Sequence, residues 1–253
     1  MKTQYNLSDM MISGWKKRYS DILKEFKYSE KKDKESAIKL NSIVVKSDIN
    51  EKISKIIKDK TVFVIGSGPS LSTAIPKLKK LKKSIKIAAD SSVKVLVENG
   101  IIPDIVITDL DGDENTLKKI AKKSIFVVHA HGDNIEKIEF VKEFKNVIGT
   151  TQTEPFEKMQ NFGGFTDGDR GVFLANHFCA KKIILFGMDF GNKIGKYSDT
   201  KKSQREIKLQ KLNRGQSLLE WLATITKSEL FTTSKPIKGF KKISYKNVDI
   251  IIT

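Results

Sequence analysis

The chain has 253 residues, of which 39% are hydrophobic and 30% charged, so it can form a folded core and is not globally disordered. Its single cysteine, Cys179, excludes an intrachain disulfide and fits a reducing compartment. No apolar run is long enough to span a membrane, and the N-terminal residues lack the apolar stretch of a secretory signal, so we expect a cytoplasmic protein.

The formal net charge of +17 at pH 7 restricts the kinds of partner that the chain can have. Nucleic acid, an anionic membrane surface and a polyanionic small molecule are all attracted to such a charge. The lysines are spread along the whole chain, as on an ordinary solvated surface, and no stretch interleaves basic and aromatic residues as nucleic-acid readers do. We therefore expect small-molecule partners, with no nucleic acid and no membrane.

Residues 1–58 are predicted to form an N-terminal helical segment. Apolar side chains recur there at spacings of three and four residues, which is typical of one buried helix face. This stripe comprises Met11, Trp15, Tyr19, Ile22, Leu23 and Phe26. No glycine or proline interrupts the chain from Lys16 to Lys60. We expect this segment to pack on an α/β catalytic domain formed by residues 59–253.

Short apolar runs from Thr61 onward predict six buried strands. They read TVFVIG, IKIAAD, DIVITD, SIFVVHA, NVIGTT and KIILFGMD. Amphipathic stretches such as LSTAIPKLKKLKK, SSVKVLVENG and GVFLANHFCA lie between several of them. This β-α-β order predicts an α/β fold, a mostly parallel open sheet with helices on both faces. A basic helical stretch from Thr200 and a strand-like tail, KNVDIIIT, follow.

In an open parallel sheet, ligands bind beyond the carboxyl ends of the strands, so the residues after each strand are candidates for a site. GSGPSLS follows the first strand, and Gly66, Ser67, Gly68 and Ser70 suit a tight turn into a helix N-terminus that could bind an anion. The loop lacks the Gly-Lys-Ser/Thr ending of a P-loop, and Leu71 replaces the third glycine of a dinucleotide fingerprint. A plain glycine turn is the alternative.

The second strand ends at Asp90. This acid lies about twenty residues beyond the glycine loop, a distance at which a carboxylate can bind a ribose hydroxyl of a nucleotide. It could equally cap the helix that is predicted to begin at Ser91. The sequence leaves both roles open.

The third strand ends in DLDGDEN, a concentration of carboxylates that is unexpected in a basic protein. Asp109, Asp111 and Asp113 occupy alternate positions, so an extended chain projects them to one side, where they repel unless a cation lies among them. Glu114 and Ile120 stand where an EF-hand needs glycine and glutamate, which excludes a calcium loop of that type. Such oxygens favour Mg²⁺, and surface acids on a loop are the alternative.

The fourth strand ends in HAHGDN, which places His129, His131 and Asp133 close together. A zinc site would have to borrow the preceding aspartates, since the chain has no H-E-x-x-H pair and no second cysteine. We expect instead that both histidines contact phosphate or substrate as part of a catalytic group, and that Asp133 joins Asp109 and Asp111 around Mg²⁺.

The remaining strand ends also carry residues that suit a ligand. GTTQTEPF offers hydroxyls, including Thr151, and GMDFGN offers Asp189. The glycine-rich loop NFGGFTDGDR contains Phe165, which could stack a flat ring, and Asp167, while core packing and helix capping are the alternatives for these two. Together, the strand ends indicate phosphoryl chemistry on a Mg²⁺–nucleotide.

Seven motifs over Val62–Leu222 resemble, in order, the archaeal type of 6-hydroxymethyl-7,8-dihydropterin diphosphokinase. They are GSGPSL, PDIVITDLDGD, HAHGDN, GTTQ, NFGGFTDGDR, GMDFG and GKYS. The resemblance implies a fold related to thiamine diphosphokinases and so a Rossmann-like sheet. The G-D-x-D-S motif of those enzymes is similar to residues 108–112, with Asp109 and Asp111 at its two aspartates and Gly112 in place of its serine.

This resemblance implies transfer of a diphosphoryl group from ATP to the hydroxymethyl oxygen of a reduced pterin, with release of AMP and a requirement for Mg²⁺. The pathway would make a tetrahydromethanopterin-type or folate-type carrier. The nucleotide-binding residues are then expected to be Gly66, Ser67, Gly68, Ser70, Asp90, Lys196, Lys201 and Arg205. The substrate-binding residues are expected to be Thr151, Asn161, Phe165, Thr166, Asp167 and Asp189. The three basic residues could close over the triphosphate or simply form a solvated helix face.

Three other functions remain open. A thiamine diphosphokinase would use the same chemistry on another acceptor. D-x-D motifs also hold the metal and nucleotide diphosphate in sugar transferases, and DLD alone does not exclude that class. A basic nucleic-acid-binding α/β module is the non-enzymatic alternative. The sequence also leaves open whether two copies form a homodimer.

Overall fold

The structure, a computed structural model, describes residues 11–45, 47–198 and 200–252. In these residues the strands are β1 Thr61–Ile65, β2 Ile85–Ala89, β3 Ile105–Thr108, β4 Ile125–Ala130, β5 Val147–Thr151, β6 Met159–Gln160, β7 Lys182–Phe186, β8 Glu229–Thr232 and β9 Lys241–Lys242. They form one sheet in the order β6-β5-β4-β3-β2-β1-β7-β8-β9, and every neighbouring pair is parallel. The predicted parallel α/β fold is confirmed.

Helices cover both faces of this sheet. Their bounds are α1 Trp15–Phe26, α2 Glu30–Ile43, α3 Ile49–Ile57, α4 Leu71–Lys80, α5 Asp90–Glu98, α6 Glu114–Ile120, α7 Asp167–His177, α8 Arg205–Leu222 and α9 Val248–Ile252. Helices α1, α3, α7 and α8 build one core, and α2, α4, α5 and α6 build another on the opposite face. None of the described helices is both long and apolar enough to cross a membrane.

The predicted helical segment at the N-terminus is divided between the two faces. Trp15 and Ile53, on α1 and α3, enter the first core, whereas Leu40, on α2, enters the second. Trp15 Nε1 also donates to the carbonyl of Gln152 at 2.9 Å. The helices before β1 are therefore built into the same layers as the later ones, and the boundary at residue 58 stays a prediction.

The last described residues correct the predicted strand-like tail. Residues 248–252 form α9, and Val248, Ile251 and Ile252 pack on the second core at the spacing of a helix. A strand would have turned alternate apolar residues away from that core. The sequence pattern also does not predict β6, β8 or β9. Strand β9 is Lys241–Lys242, whose exposed side chains leave no apolar run to mark it.

Strand β1 lies where the strand order reverses. Strands β2 to β6 follow on one side of it and β7 to β9 on the other. Ile65 and Phe186, which end β1 and β7, are paired in register. In open parallel sheets the crevice at the carboxyl ends of two such strands is the usual ligand site. The fold therefore indicates a ligand site among the loops after β1, β2, β3 and β7.

Candidate active site

Four carboxylates meet at one edge of the sheet. Asp90 begins α5 directly after β2, Asp109 and Asp111 follow β3, and Asp167 is the first residue of α7. One oxygen of each lies within 4.8 Å of the corresponding oxygens of the others. The ends of β2 and β3 are adjacent because these strands pair in parallel, and α7 packs across β1, β2 and β3. We call these four residues the carboxylate cluster.

The turn after β3 brings Asp109 and Asp111 together by bending, so the condition of an extended chain is not met here. Leu110, between them, has φ 68°, in the left-handed region that leucine rarely adopts. Its N–H donates to Thr108 Oγ1 at 2.8 Å, and its side chain is buried in the second core. The hydroxyl of Thr108 in turn donates to Asp90. The buried side chain of Leu110 and the hydroxyl of Thr108 thus hold the turn beside the carboxylate of Asp90.

Burial and repulsion shift the ionisation of the cluster. Burial raises the pKa of Asp90 to about 7, with help from the charges of Asp111 and Asp109. Burial and the charge of Asp109 raise the pKa of Asp111 to about 6, and the same two causes raise the pKa of Asp167 well above its usual value. Burial opposes ionisation of Asp109 too, but its hydrogen bond to His131 and the attraction between the two outweigh it and lower the pKa of Asp109. A cation among these groups would favour ionisation of all four.

The donor atoms of the cluster fit a hard divalent cation. Asp90 Oδ1 and Asp109 Oδ1 are buried and have no hydrogen-bond partner among the described residues. All four ligand groups are carboxylates, without a nitrogen or sulfur donor. Oxygen-only sets are the ligands that Mg²⁺ prefers, whereas zinc is usually held by histidine and cysteine. The residues therefore fit Mg²⁺ better than zinc.

Two nitrogen-bearing side chains border the cluster. His131 Nε2 lies 3.3 Å from Asp109 Oδ2. Arg170, one turn after Asp167 on α7, places Nη1 3.2 Å from Asp167 Oδ1. The guanidinium is mostly buried, and its Nε has no partner among the residues described. Arg170 was not expected from the sequence, although its three-residue spacing from Asp167 puts both side chains on one helix face.

A pocket of about 640 Å³ lies where the strand order reverses, and we call it the switch-point pocket. Its glycines allow backbones to approach closely. An ideal Cβ on Gly195 would lie 1.9 Å from Ser67 O, and one on Gly187 would lie 2.3 Å from Gly66 O. The apolar part of the lining comprises Ala89, Met188, Phe190, Ile194 and Leu212. The glycines therefore let the backbone segments around the pocket pack tightly on one another, and these five side chains give the pocket a partly apolar wall.

The glycine loop after β1 has fewer free donors than its sequence suggests. The N–H of Gly68 donates to Gly187 O at 2.7 Å. The N–H and hydroxyl of Ser70 both donate to Asp189 Oδ2, at 2.8 and 2.7 Å. The anion position at the N-terminus of α4 is therefore filled by a carboxylate of this chain. Gly66, Ser67 and Gly68 of this loop line the switch-point pocket.

The basic residues that line the switch-point pocket are Lys193 and Lys208. The charge of Lys208 also acts on Asp111 and favours its ionised form. Sequence reasoning missed both lysines, because nothing distinguishes them from the many other lysines of this chain. The basic residues that it selected are exposed and lie outside this lining: Lys196, Lys201 and Arg205.

A second pocket, of about 440 Å³, borders the cluster at Asp109, and we call it the N-terminal pocket. The chain between α1 and α2 and the start of α2 supply part of its wall, namely Tyr28, Ser29, Lys32 and Asp33. The rest of the wall includes His131, Gln152, Phe165, Arg170 and Lys211. The ring centroids of Tyr28 and Phe165 are 6.4 Å apart. Asp109 lines the N-terminal pocket and Asp167 lines the switch-point pocket, so the carboxylate cluster touches both.

The structure places two of the three predicted metal ligands in the carboxylate cluster. Asp109 and Asp111 are in the cluster, but Asp133 is not: its side chain is 73% exposed, and its oxygen lies 4.0 Å from His131 Nδ1. Asp90 and Asp167, which the sequence assigned to nucleotide and substrate, are in the cluster instead. The last aspartate of the loop after β3, residue 113, caps α6.

The other predicted residues fall into two groups. Phe165 lines the N-terminal pocket, and Thr166 and Asp189 line the switch-point pocket. Three more are buried, namely His129, Thr151 and Asn161. The amide nitrogen of Asn161 donates to two backbone carbonyls, at 2.9 and 2.7 Å, and so holds a loop in place. Burial lowers the pKa of His129 well below its usual value and keeps its ring neutral.

The fold and the site define an open α/β protein whose carboxylates, at the strand ends, can hold a divalent cation between two ligand pockets. Residues 34–195 match the family model described as "6-hydroxymethylpterin diphosphokinase MptE-like". The chain belongs to this family, which confirms the resemblance seen in its motifs.

Three archaeal relatives, each named 6-hydroxymethyl-7,8-dihydropterin pyrophosphokinase, are similar to 84% of this chain. The protein of Pyrococcus furiosus is 44% identical over 220 residues, which are 94% of its length. The protein of Methanocaldococcus jannaschii is 43% identical over 231 residues, 96% of its length. The protein of Methanothermobacter thermautotrophicus is 35% identical over 221 residues, 95% of its length.

The fold is also similar to that of a solved structure, the MAf glycosyltransferase from Magnetospirillum magneticum AMB-1. The TM-score is 0.50 with 14% sequence identity, and the match covers 84% of this chain but only 39% of the glycosyltransferase chain. At this identity the similarity concerns the fold alone, since one fold carries many activities.

Proposed function

We propose that this chain is a Mg²⁺-dependent ATP:6-hydroxymethyl-7,8-dihydropterin diphosphotransferase. Its family and the names of its archaeal relatives support this activity. The observation that carries the proposal is the carboxylate cluster between two pockets, with Asp167 lining one and Asp109 the other. A transferase for two substrates needs such a shared centre, because the donor phosphorus and the acceptor oxygen must be held together.

In the proposed reaction the hydroxymethyl oxygen of the pterin attacks the β-phosphorus of ATP. A new oxygen–phosphorus bond forms as the bond to the oxygen bridging the α- and β-phosphates breaks, so AMP leaves and the hydroxymethyl proton passes to solvent. Phosphoryl transfer has a loose transition state, so positioning and charge neutralisation contribute most of the catalysis. A strong general base is therefore not required.

We assign the four residues of the carboxylate cluster as those that would hold Mg²⁺. When bound, the ion supplies charge neutralisation at the phosphate oxygens. His131 keeps Asp109 ionised and oriented, whereas Arg170 orients Asp167 and only partly offsets the burial and repulsion that raise its pKa. Asp133, the third ligand expected from the sequence, is absent from this set because its carboxylate lies outside the cluster, 4.0 Å from His131 Nδ1.

We place ATP in the switch-point pocket. This pocket is the larger of the two and lies where strand order reverses, the usual nucleotide position in such sheets. Its apolar side chains suit an adenosine, and Lys193 and Lys208 supply positive charge for the triphosphate. The carboxylate of Asp189 suits a ribose hydroxyl, a role that the buried Asp90 is less free to fill.

We further propose that the reaction takes place in the cytoplasm, within the biosynthesis of a tetrahydromethanopterin-type or folate-type carrier. ATP and a reduced pterin are small molecules, so the net charge of +17 requires neither nucleic acid nor membrane to explain it. A homodimer stays a prediction, which sedimentation of the purified chain would test.

The activity is tested by following AMP with different acceptors. Incubation with ATP, Mg²⁺ and 6-hydroxymethyl-7,8-dihydropterin is expected to yield AMP and pterin diphosphate in equal amounts, and a chelator is expected to stop the reaction. Thiamine serves as the competing acceptor. AMP formed with thiamine but not with the pterin would favour a thiamine diphosphokinase, and no AMP with either would contradict the proposal.

A further inference from the structure

Two polar residues that line the N-terminal pocket each have a buried atom without a partner in the part of the chain that the structure describes. Gln152 is 4% exposed and Arg170 is 8% exposed. Gln152 Oε1 and Arg170 Nε are both buried without a hydrogen-bond partner. An unsatisfied buried polar group costs roughly 1–3 kcal/mol, so native proteins rarely leave two in one pocket without a ligand or ordered water to bond them.

The same pocket has an aromatic wall. Phe165 is 5% exposed, and its ring centroid lies 4.9 Å from that of Phe26 and 6.4 Å from that of Tyr28. Lys211 Nζ lies 5.6 Å from the centre of the Tyr28 ring. Aromatic faces beside a few fixed polar groups are typical of pockets that bind a flat heterocycle.

We infer that the N-terminal pocket binds the reduced pterin, and that Gln152 and Arg170 recognise its amino-pyrimidinone edge. This assignment rests on the proposed function. The carboxamide of Gln152 can accept from a ring N–H or the 2-amino group and can donate to the ring carbonyl, whereas Arg170 Nε donates to a ring acceptor. Phe165 and Tyr28 supply the wall against which the ring lies.

The position of Arg170 links recognition to chemistry. Its Nη1 is 3.2 Å from Asp167 Oδ1 in the carboxylate cluster, while its Nε faces no partner among the described residues. The pocket itself borders the cluster at Asp109. A pterin held by its pyrimidinone edge would therefore lie in a pocket that adjoins the proposed metal site, where its hydroxymethyl group has to react.

The experiment replaces Gln152 by methionine, which keeps the length of the side chain and removes both hydrogen-bonding groups. The KM for the pterin is expected to rise at least about tenfold, while the KM for ATP stays within about twofold. The matched control is Gln160→Met, because Gln160 is also a mostly buried glutamine but bonds Asn50 away from both pockets. It is expected to change neither KM.

A second measurement uses an analogue with oxygen in place of the 2-amino group. The wild type is expected to discriminate against it at least about tenfold in binding, and Gln152→Met to lose most of that discrimination. Tyr28→Leu, which removes part of the aromatic wall, is expected to weaken pterin binding and keeps the proposal testable if Gln152→Met fails to fold.

The outcomes separate this inference from the proposed function. A folded Gln152→Met with an unchanged pterin KM, or with a raised KM for ATP alone, would overturn the inference and leave the activity standing. Failure of the wild type to form AMP would remove the proposed function. Equilibrium binding of the pterin to wild type and Gln152→Met, without ATP, then still decides whether this pocket takes the heterocycle.

Discussion

Gly112 has no room for a side chain because the carboxylate of Asp90 occupies the space. An ideal Cβ on Gly112 would lie 1.9 Å from Asp90 Oδ1, and the N–H of Gly112 donates to Asp90 Oδ2 at 3.1 Å. The turn after β3 is thus built around the carboxylate of the first residue of α5. The closeness of Asp90 therefore explains why this chain has glycine at residue 112, where the D-x-D-S pattern has serine.

Gly112→Ala is expected to displace Asp90 and so to disrupt the carboxylate cluster. We expect kcat to fall at least about tenfold and the Mg²⁺ concentration for half-maximal rate to rise, because one ligand leaves its position. Steady-state kinetics over a Mg²⁺ series measures both quantities.

The control for Gly112→Ala is Gly100→Ala. Gly100 has φ 74° and nothing within 4 Å of an ideal Cβ, so alanine there adds only backbone strain of about 1–2 kcal/mol. It is expected to lower the Tm without changing kcat. Equal kinetic effects of the two variants would show that the loss at Gly112 comes from general destabilisation.

Asp111→Asn is expected to lower kcat at least about 100-fold with little loss of fold, because it removes a charged ligand from the proposed metal site. Removal of one of four crowded carboxylates also relieves repulsion, so the metal-free Tm is not expected to fall. The measurements are single-turnover AMP formation and thermal unfolding in a chelator.

The matched control for Asp111 lies two residues further along the same loop. Asp113 caps α6 by accepting from Thr116 N at 2.9 Å, and asparagine can do the same. Asp113→Asn is therefore expected to keep kcat within about twofold. Near-normal turnover of Asp111→Asn would remove Asp111 from the metal site.

Asp90 is expected to make the metal-free protein less stable as pH rises from about 4 to about 7. Burial raises its folded-state pKa to about 7, so the folded state keeps a proton in this window that the unfolded state has released. The free energy of unfolding then falls with rising pH, by up to about 4 kcal/mol for this shift of the Asp90 pKa from its usual value to about 7. The raised pKa of Asp111 acts in the same direction, while the lowered pKa of Asp109 contributes only below the window.

Thermal unfolding across this pH window, with a chelator and with Mg²⁺, measures that effect. The Tm is expected to fall with pH in the chelator and to fall less with Mg²⁺, because the ion binds the ionised cluster. Asp90→Asn is expected to flatten the chelator series. The same slope with and without Mg²⁺ would argue against a metal at this cluster.

Lys208→Met is expected to lower kcat/KM for ATP at least about tenfold, since Lys208 lines the switch-point pocket and its charge reaches Asp111. Lys201→Met removes a charge just before α8, from an exposed side chain outside the pocket lining. It is expected to change kcat/KM by less than about twofold. Initial rates over an ATP series measure kcat/KM for both variants. A larger effect of Lys201→Met than of Lys208→Met would restore the nucleotide-binding role that the sequence assigned to Lys201.

Much of the fold could be predicted because buried parallel strands are continuous apolar runs. The six predicted strands correspond to β1 to β5 and β7. The two-residue strands β6 and β9 carry no such run, and the apolar run of α9 is too short for its periodicity to distinguish helix from strand. Position along the chain alone could not assign α2 to the face opposite α1 and α3.

The site was predictable where its residues are close in sequence and not where they meet through the fold. Asp109 and Asp111 stand out by spacing, but Asp90 and Asp167 join them only through strand pairing and the placement of α7. The left-handed turn at Leu110 carries no sequence signal, since leucine rarely adopts it. Arg170 and Gln152 matter because each has a buried side-chain atom without a partner among the described residues, a property that no sequence pattern shows.

Asp33, on α2, connects a neighbouring helix to a loop that is distant in sequence. Its two oxygens accept from the Tyr19 hydroxyl at 2.7 Å and from the N–H of Gly132 at 2.8 Å, and Gly132 lies 99 residues further along the chain. The bond to Tyr19 joins neighbouring helices, whereas the bond to Gly132 forms only when α2 meets the loop after β4. This wall of the N-terminal pocket is therefore complete only once two segments 99 residues apart have come together.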